Sequence, residues 1–137
     1  MVAITGVNVG YEYRSCYQHE STQDGLVTAF ANADYQGCYA GTDANGLRLM
    51  NEKSINTLNP NSHQACMDWC TNAAGGPYDY FGIEFGVNCR CANQYAFTPT
   101  TSGATCDKVA TGTTNEAGGG ANALTVYKRK ASSVSIG

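Results

Sequence analysis

The sequence predicts an α+β domain in which one helix lies across antiparallel strands and is pinned there by disulfides. Three observations carry that expectation. Several short segments alternate apolar and polar residues, a single segment switches to helical period, and both kinds of segment carry closely spaced cysteines. The 137 residues include 7 cysteines, 16 glycines and 9 tyrosines, the composition of a loop-rich, oxidised module with one modest core.

The elements follow in chain order. "VNVGYEYR" places Val7, Val9, Tyr11 and Tyr13 on one face and Asn8, Glu12 and Arg14 on the other, which is a half-buried strand. "YQGCYAG" is a second short strand bounded by glycine. In "SHQACMDWCTNAAGGP", Ser62 caps a helix whose Cys66, Trp69, Cys70 and Ala73 share one face. Gly75, Gly76 and Pro77 stop it. "YDYFGIEFG" returns to period two, with Tyr78 and Tyr80 on one face and Phe81, Ile83 and Phe85 on the other. "ALTVYK" is the last strand, with Leu124 and Val126 on one side, and Lys128, Arg129 and Lys130 after it read as a solvated basic tail.

The cysteines tie these elements together. Cys66 and Cys70 lie one helical turn apart, about 5.4 Å. Cys89 and Cys91 point to one face of a strand about 6.6 Å apart. Matched spacings let the strand staple the helix twice. The expected pairs are Cys66–Cys91 and Cys70–Cys89, with Cys66–Cys89 and Cys70–Cys91 as the alternative, since spacing alone does not fix connectivity. The spacings are not the closed sets of a structural zinc site, so no metal and no cofactor is expected.

Charged residues make up 14% of the chain and the net charge is −3, which disfavours nucleic acid and anionic lipid as partners. No apolar run approaches the roughly 20 residues of a membrane span. The opening "MVAITGVNVG" lacks the parts of a signal peptide, so the oxidised chain reads as the mature portion of an exported protein behind an added Met. There is no Gly-x-Ser-x-Gly or His-Glu-x-x-His motif, and the two histidines are His19 and His63, the latter read as a solvated residue of the first helical turn. Glu84 with Asp79 resembles a glycosidase carboxylate pair only superficially, because Glu84 is expected to accept hydrogen bonds from nearby backbone. The chain therefore reads as a non-enzyme.

Tyrosine carries the functional signal. Sugars present flat C–H faces ringed by hydroxyls, so their sites combine aromatic platforms with planar amides, carboxylates or guanidinium groups. Tyr78, Tyr80, Asn88, Arg90, Asn93 and Tyr95 are the candidate carbohydrate-binding residues on one hairpin. Arg90 is expected to point away from the two sulfurs, towards solvent.

The ordered blocks "YQGCYAG", "ACMDWC", "YDYFGIEFGVNCRCANQY" and "GGGANALTVYK" resemble the WSC domain of fungal wall-stress sensors and carbohydrate-active enzymes, over about residues 34–128. The resemblance implies a PAN/apple-like fold, with residues 1–33 as an N-terminal strand extension, 34–130 as the domain and 131–137 as a tail. It further implies a third bridge, Cys38–Cys106, which leaves Cys16 over. Cys16 is expected to bond its own symmetry mate across an exposed strand edge and give a homodimer. The alternatives are a buried thiol, or a Cys16–Cys106 bond that displaces Cys38. Ala110 and Ala117 stand where the family has a late cysteine pair, and Ala92 where it has a glycine. The function implied is non-catalytic binding of cell-wall polysaccharide, β-1,3-glucan first and chitin or xylan next, by a secreted or cell-surface fungal protein. The alternatives are a secreted fungal immunomodulatory protein acting on a host receptor and a self-associating structural cell-wall protein.

Overall fold

The structure, a computed structural model, describes residues 22–23 and 25–130. The expected strand over "VNVGYEYR", together with His19, Cys16 and its dimer, lies outside the described residues.

A two-stranded hairpin, β1 (Thr22–Gln23) and β2 (Leu26–Val27), precedes the main elements β3 (Ala33–Ala40), β4 (Lys53–Ile55), α1 (His63–Asn72), β5 (Tyr80–Glu84), β6 (Asn88–Ala92) and β7 (Ala123–Arg129). The last five strands form one antiparallel sheet in the order β3-β7-β5-β6-β4. One helix packed on this five-stranded sheet, with three disulfides, is the α+β arrangement that the alternation and the cysteine spacing predict.

Helix α1 starts where Ser62 accepts a hydrogen bond from the Ala65 N–H through its hydroxyl (2.9 Å), satisfying one of the orphan donors of the first turn. Its buried face carries His63, Cys66 and Cys70. These meet Phe81, Ile83, Cys89, Cys91 and Tyr127 on the facing side of the sheet, where the Phe81 and Tyr127 rings stack at 5.1 Å. Each fully buried Phe or Ile of this cluster stabilises the fold by about 1.5–3 kcal/mol. The opposite face of the sheet is apolar too. Leu124, Val126 and Ala92 are covered there by Leu49 and Met50 and by the partly buried Tyr95 and Phe97.

The disulfides pair as Cys66–Cys89, Cys70–Cys91 and Cys38–Cys106, with Cα–Cα distances of 5.5, 5.6 and 6.0 Å. The expected Cys66–Cys91 and Cys70–Cys89 pairs are therefore corrected to the alternative. The reason is the direction of the helix. The chain reverses once between α1 and β5 and again between β5 and β6, so α1 runs parallel to β6 and the earlier cysteine of each element meets the earlier one of the other. The sulfurs of Cys66, Cys70 and Cys89 lie within 4.8 Å of one another, but each already belongs to a disulfide.

Four other expectations need correction. His63 is not solvated but 1% exposed, because the helix enters beneath the 110–118 segment: its Nε2 lies 2.9 Å from the Ala117 carbonyl and its ring 4.7 Å from that of Tyr127. Lys128 and Arg129 belong to β7 rather than to a tail, since β7 continues along β3 to the Ala33–Arg129 pair. Tyr78 precedes β5 and packs with the helix-side core, while Tyr80 lies on the other face, because the alternation begins only at Tyr80. Phe85 is outside the strand as well. It sits in the β5–β6 turn with φ 51° and is 52% exposed, a left-handed backbone that costs a non-glycine residue about 1–2 kcal/mol.

Candidate functional site

Cross-strand partners share a face, so the register decides which side chains meet. On the side away from α1, β5 presents Tyr80 and Glu84, β6 presents Asn88, Arg90 and Ala92, and β7 presents Leu124, Val126 and Lys128. β3 contributes to this face through an irregularity. Tyr35 pairs with Tyr127 but Gly37 pairs with Val126, so Gln36 is an extra residue and the alternation is reset. Tyr35 consequently stays on the helix side, its ring 5.5 Å from Tyr127, while Tyr39 pairs with Leu124 on the opposite face. Gly37 permits this arrangement: its φ is 152°, and a Cβ there would lie 2.9 Å from carbons of the Tyr39 ring.

The result is a patch of three half-buried tyrosines. The Tyr80 and Tyr95 rings lie 4.6 Å apart at 38°, and Tyr39 meets Tyr95 edge-on at 5.9 Å. Tyr39 is fixed by its hydroxyl, which donates to the Gln36 carbonyl at 2.8 Å. The buried Tyr95 hydroxyl has no hydrogen-bond partner among the described residues, and burial raises its pKa above the usual tyrosine value, with the Tyr39 and Tyr80 phenols adding to the effect. The Lys128 ammonium stands 5.7 Å from the Tyr80 ring centroid. At the rim, exposed Asn93 accepts the Asp79 N–H through Oδ1 at 3.1 Å, which leaves its NH₂ to donate to a ligand. The Asn93 N–H itself donates to Glu52 Oε2 at 3.1 Å.

Of the six expected site residues, Tyr80, Tyr95 and Asn93 come together here. Tyr78 does not; it is 8% exposed under the helix, with its hydroxyl donating to the Ala74 carbonyl at 3.0 Å. Arg90 points away from the sulfurs, as the alternation requires, but not into solvent. It is 5% exposed, and its Nε and Nη2 donate to Glu84 Oε1 at 2.8 and 2.7 Å. Glu84 thus takes a guanidinium rather than backbone donors, and exposed Arg48 adds a third cationic nitrogen at 3.9 Å. Burial of an acid and a base on one face selects this pairing, since either alone would be a desolvated charge. Asn88, half-buried, ends the hairpin opposite Glu84.

Sequence reasoning missed Tyr39. Its signal was present in "YQGCYAG", but strict alternation from Tyr35 places it on the wrong face. It also missed the surroundings of Trp69, which packs against the helix-side core and lines a groove of about 330 Å³ with Leu58, Ala65, Asp68, Asn72 and Ala73. A second hollow, beside Lys128, is lined by Asp34, Asp79, Arg129 and Lys130, which pair with one another as Arg129–Asp79 (3.3 Å) and Lys130–Asp34 (2.9 Å).

The tyrosine patch is chemically a stacking surface: packed rings, an ammonium and a side-chain amide, and among the described residues no nucleophile or pair of carboxylates is aimed at a common point on it. Among known protein families, the WSC domain matches residues 35–120, more than half of the chain. Among curated proteins, none matches it.

Proposed function

The chain belongs to the WSC domain family, and from that premise we propose that it is a secreted or cell-surface, non-catalytic module that binds cell-wall polysaccharide, β-1,3-glucan first, on the face of Tyr39, Tyr80 and Tyr95. The single observation that supports this most is the Tyr80–Tyr95 pair at 4.6 Å, half-exposed on a sheet face and immobilised from both sides. A pyranose ring laid on such a pair replaces ordered water with C–H contacts to the ring faces, while the Asn93 NH₂ donates to a hydroxyl at the edge. Rings fixed before binding lose little side-chain freedom on contact, which favours affinity.

Three disulfides fit an oxidising, extracellular setting. Among the described residues no helix is long and apolar enough to cross a membrane.

Depletion of the folded protein from solution by insoluble β-1,3-glucan, with chitin and xylan in parallel, tests the reading. Glucan is expected to remove the protein most strongly, and Tyr80→Ala and Tyr95→Ala are expected to lose most of the retention while keeping a native far-UV spectrum. Equal retention of both variants would exclude this face, and depletion by none of the polymers would exclude the polysaccharide.

A further inference from the structure

We propose that Phe85, at the tip of the β5–β6 turn, is a second stacking platform for the same polysaccharide chain, so that the site takes a run of several sugars rather than a single residue. This rests on the glycan reading above and extends it along the sheet.

Phe85 is one of two large apolar residues left exposed among the described residues. Its backbone is left-handed, followed by Gly86 at φ 77°. Glycine, asparagine or aspartate fit two successive positive φ values with less strain, and an aromatic ring there gains nothing from the core. A bulky residue persists in that conformation only where its surroundings over-determine it. Here they do. The Gly86 N–H donates to the Gly118 carbonyl at 2.7 Å, the Thr111 N–H to the Gly86 carbonyl at 3.2 Å and the Leu58 N–H to the Val87 carbonyl at 2.8 Å. A Cβ on Gly86 would lie 2.7 Å from the Val109 carbonyl oxygen, so only glycine fits at that position.

The ring itself stands outside the core clusters. The Lys108 ammonium stands 5.2 Å from the centroid over one face, and with 52% of the residue exposed the other face is open to a ligand. Phe85 is the residue after β5, five residues beyond Tyr80 at the start of that strand, roughly 16 Å at the rise of an extended chain. Between the two platforms the strand carries Glu84, buried with Arg90, and beside it half-exposed Arg48, whose guanidinium can donate to sugar hydroxyls. Tyr80, with Tyr95 against it, therefore stands at the start of β5, Arg48 beside Glu84 at its end, and Phe85 in the turn that follows. A strained, solvent-facing ring outside the core clusters fits a contact residue.

The test separates strain from contact. Phe85→Asn suits the turn and removes the ring; Phe85→Tyr keeps the ring. Melting temperature and affinity for β-1,3-linked oligosaccharides from the disaccharide to the heptasaccharide are measured for both and for the parent. Phe85→Asn is expected to melt no lower than the parent, to bind the disaccharide unchanged and to bind the heptasaccharide about five- to tenfold more weakly. Phe85→Tyr is expected to bind every length like the parent. A lower melting temperature for Phe85→Asn would make the ring structural and overturn the proposal, as would unchanged affinity for the heptasaccharide. If the parent bound no oligosaccharide of any length, the glycan reading itself would fall, and the Phe85 platform with it.

Discussion

Buried His63 and the buried Arg90–Glu84 pair set the chemistry at the scale of single side chains. His63 is enclosed by Phe30, Tyr127 and the Ala117 carbonyl, with the Glu116 carboxylate 3.6 Å from its Nδ1. Burial holds its pKa below the ordinary histidine value, against the opposing pull of the Ala117 hydrogen bond and Glu116. The unfolded chain therefore takes up a proton near pH 6.5 while the folded one does not. Stability from this residue is fully present above that pH and declines as the pH falls below it. Thermal melts between pH 7.5 and 5 are expected to drop more steeply for the parent than for His63→Gln; parallel slopes would remove His63 as the cause. Arg90 and Glu84 form the second case. Arg90→Ala strands a buried carboxylate and is expected to cost about 3–5 kcal/mol in chemical denaturation, whereas Glu84→Gln with Arg90→Met together is expected to cost far less. Arg90 thus supports the face by holding Glu84 in place and is not itself free for a ligand.

At the scale of elements, the two bridges between α1 and β6 decide how the helix sits. Each closes a loop whose cysteines are 23 and 21 residues apart, and each is expected to contribute roughly 3 kcal/mol by restricting the unfolded chain. Replacing Cys66 and Cys89 together by Ala is expected to lower stability by about that amount, with α1 still held through Cys70–Cys91. Peptide mapping without reduction is expected to recover Cys66–Cys89 and Cys70–Cys91. Recovery of Cys66–Cys91 would mean that α1 runs against β6, contrary to the two chain reversals that separate them. The bulge at Gln36 acts at the same scale on the other face, since one extra residue in β3 carries Tyr39 across the sheet to join Tyr95.

The whole molecule has two covered sheet faces and a small net charge of −3. The helix and its disulfides occupy one face. On the other, the loop carrying Leu49 and Met50 and the segment carrying Tyr95 and Phe97 complete the core and leave Tyr39, Tyr80 and Tyr95 partly exposed. Binding through such a surface is driven by stacking and loss of water rather than by counterion release. Retention on insoluble glucan is therefore expected to change little between about 0.05 and 0.5 M salt, where a charge-driven interaction would weaken by orders of magnitude. A steep loss with salt would direct attention from the tyrosines to Lys128, Lys108 and Arg48.

The class of fold and the elements that carry it are legible in the amino-acid sequence. A helical run between alternating segments, a serine cap, a glycine-proline stop and cysteine pairs of equal spacing are local signals, and local geometry suffices to read them. The tertiary structure alone decided the direction of the helix along β6, and with it the disulfide pairing, because spacing is blind to direction. It also decided which tyrosines meet. Tyr78 falls under the helix because alternation does not extend across the loop before Tyr80, and Tyr39 changes face because a bulge resets the period. His63 is buried by a segment distant in sequence, with Glu116 and Ala117 53 and 54 residues away, whereas Arg90 meets Glu84 six residues back on the same hairpin, and for that pair only the burial lay beyond local reading.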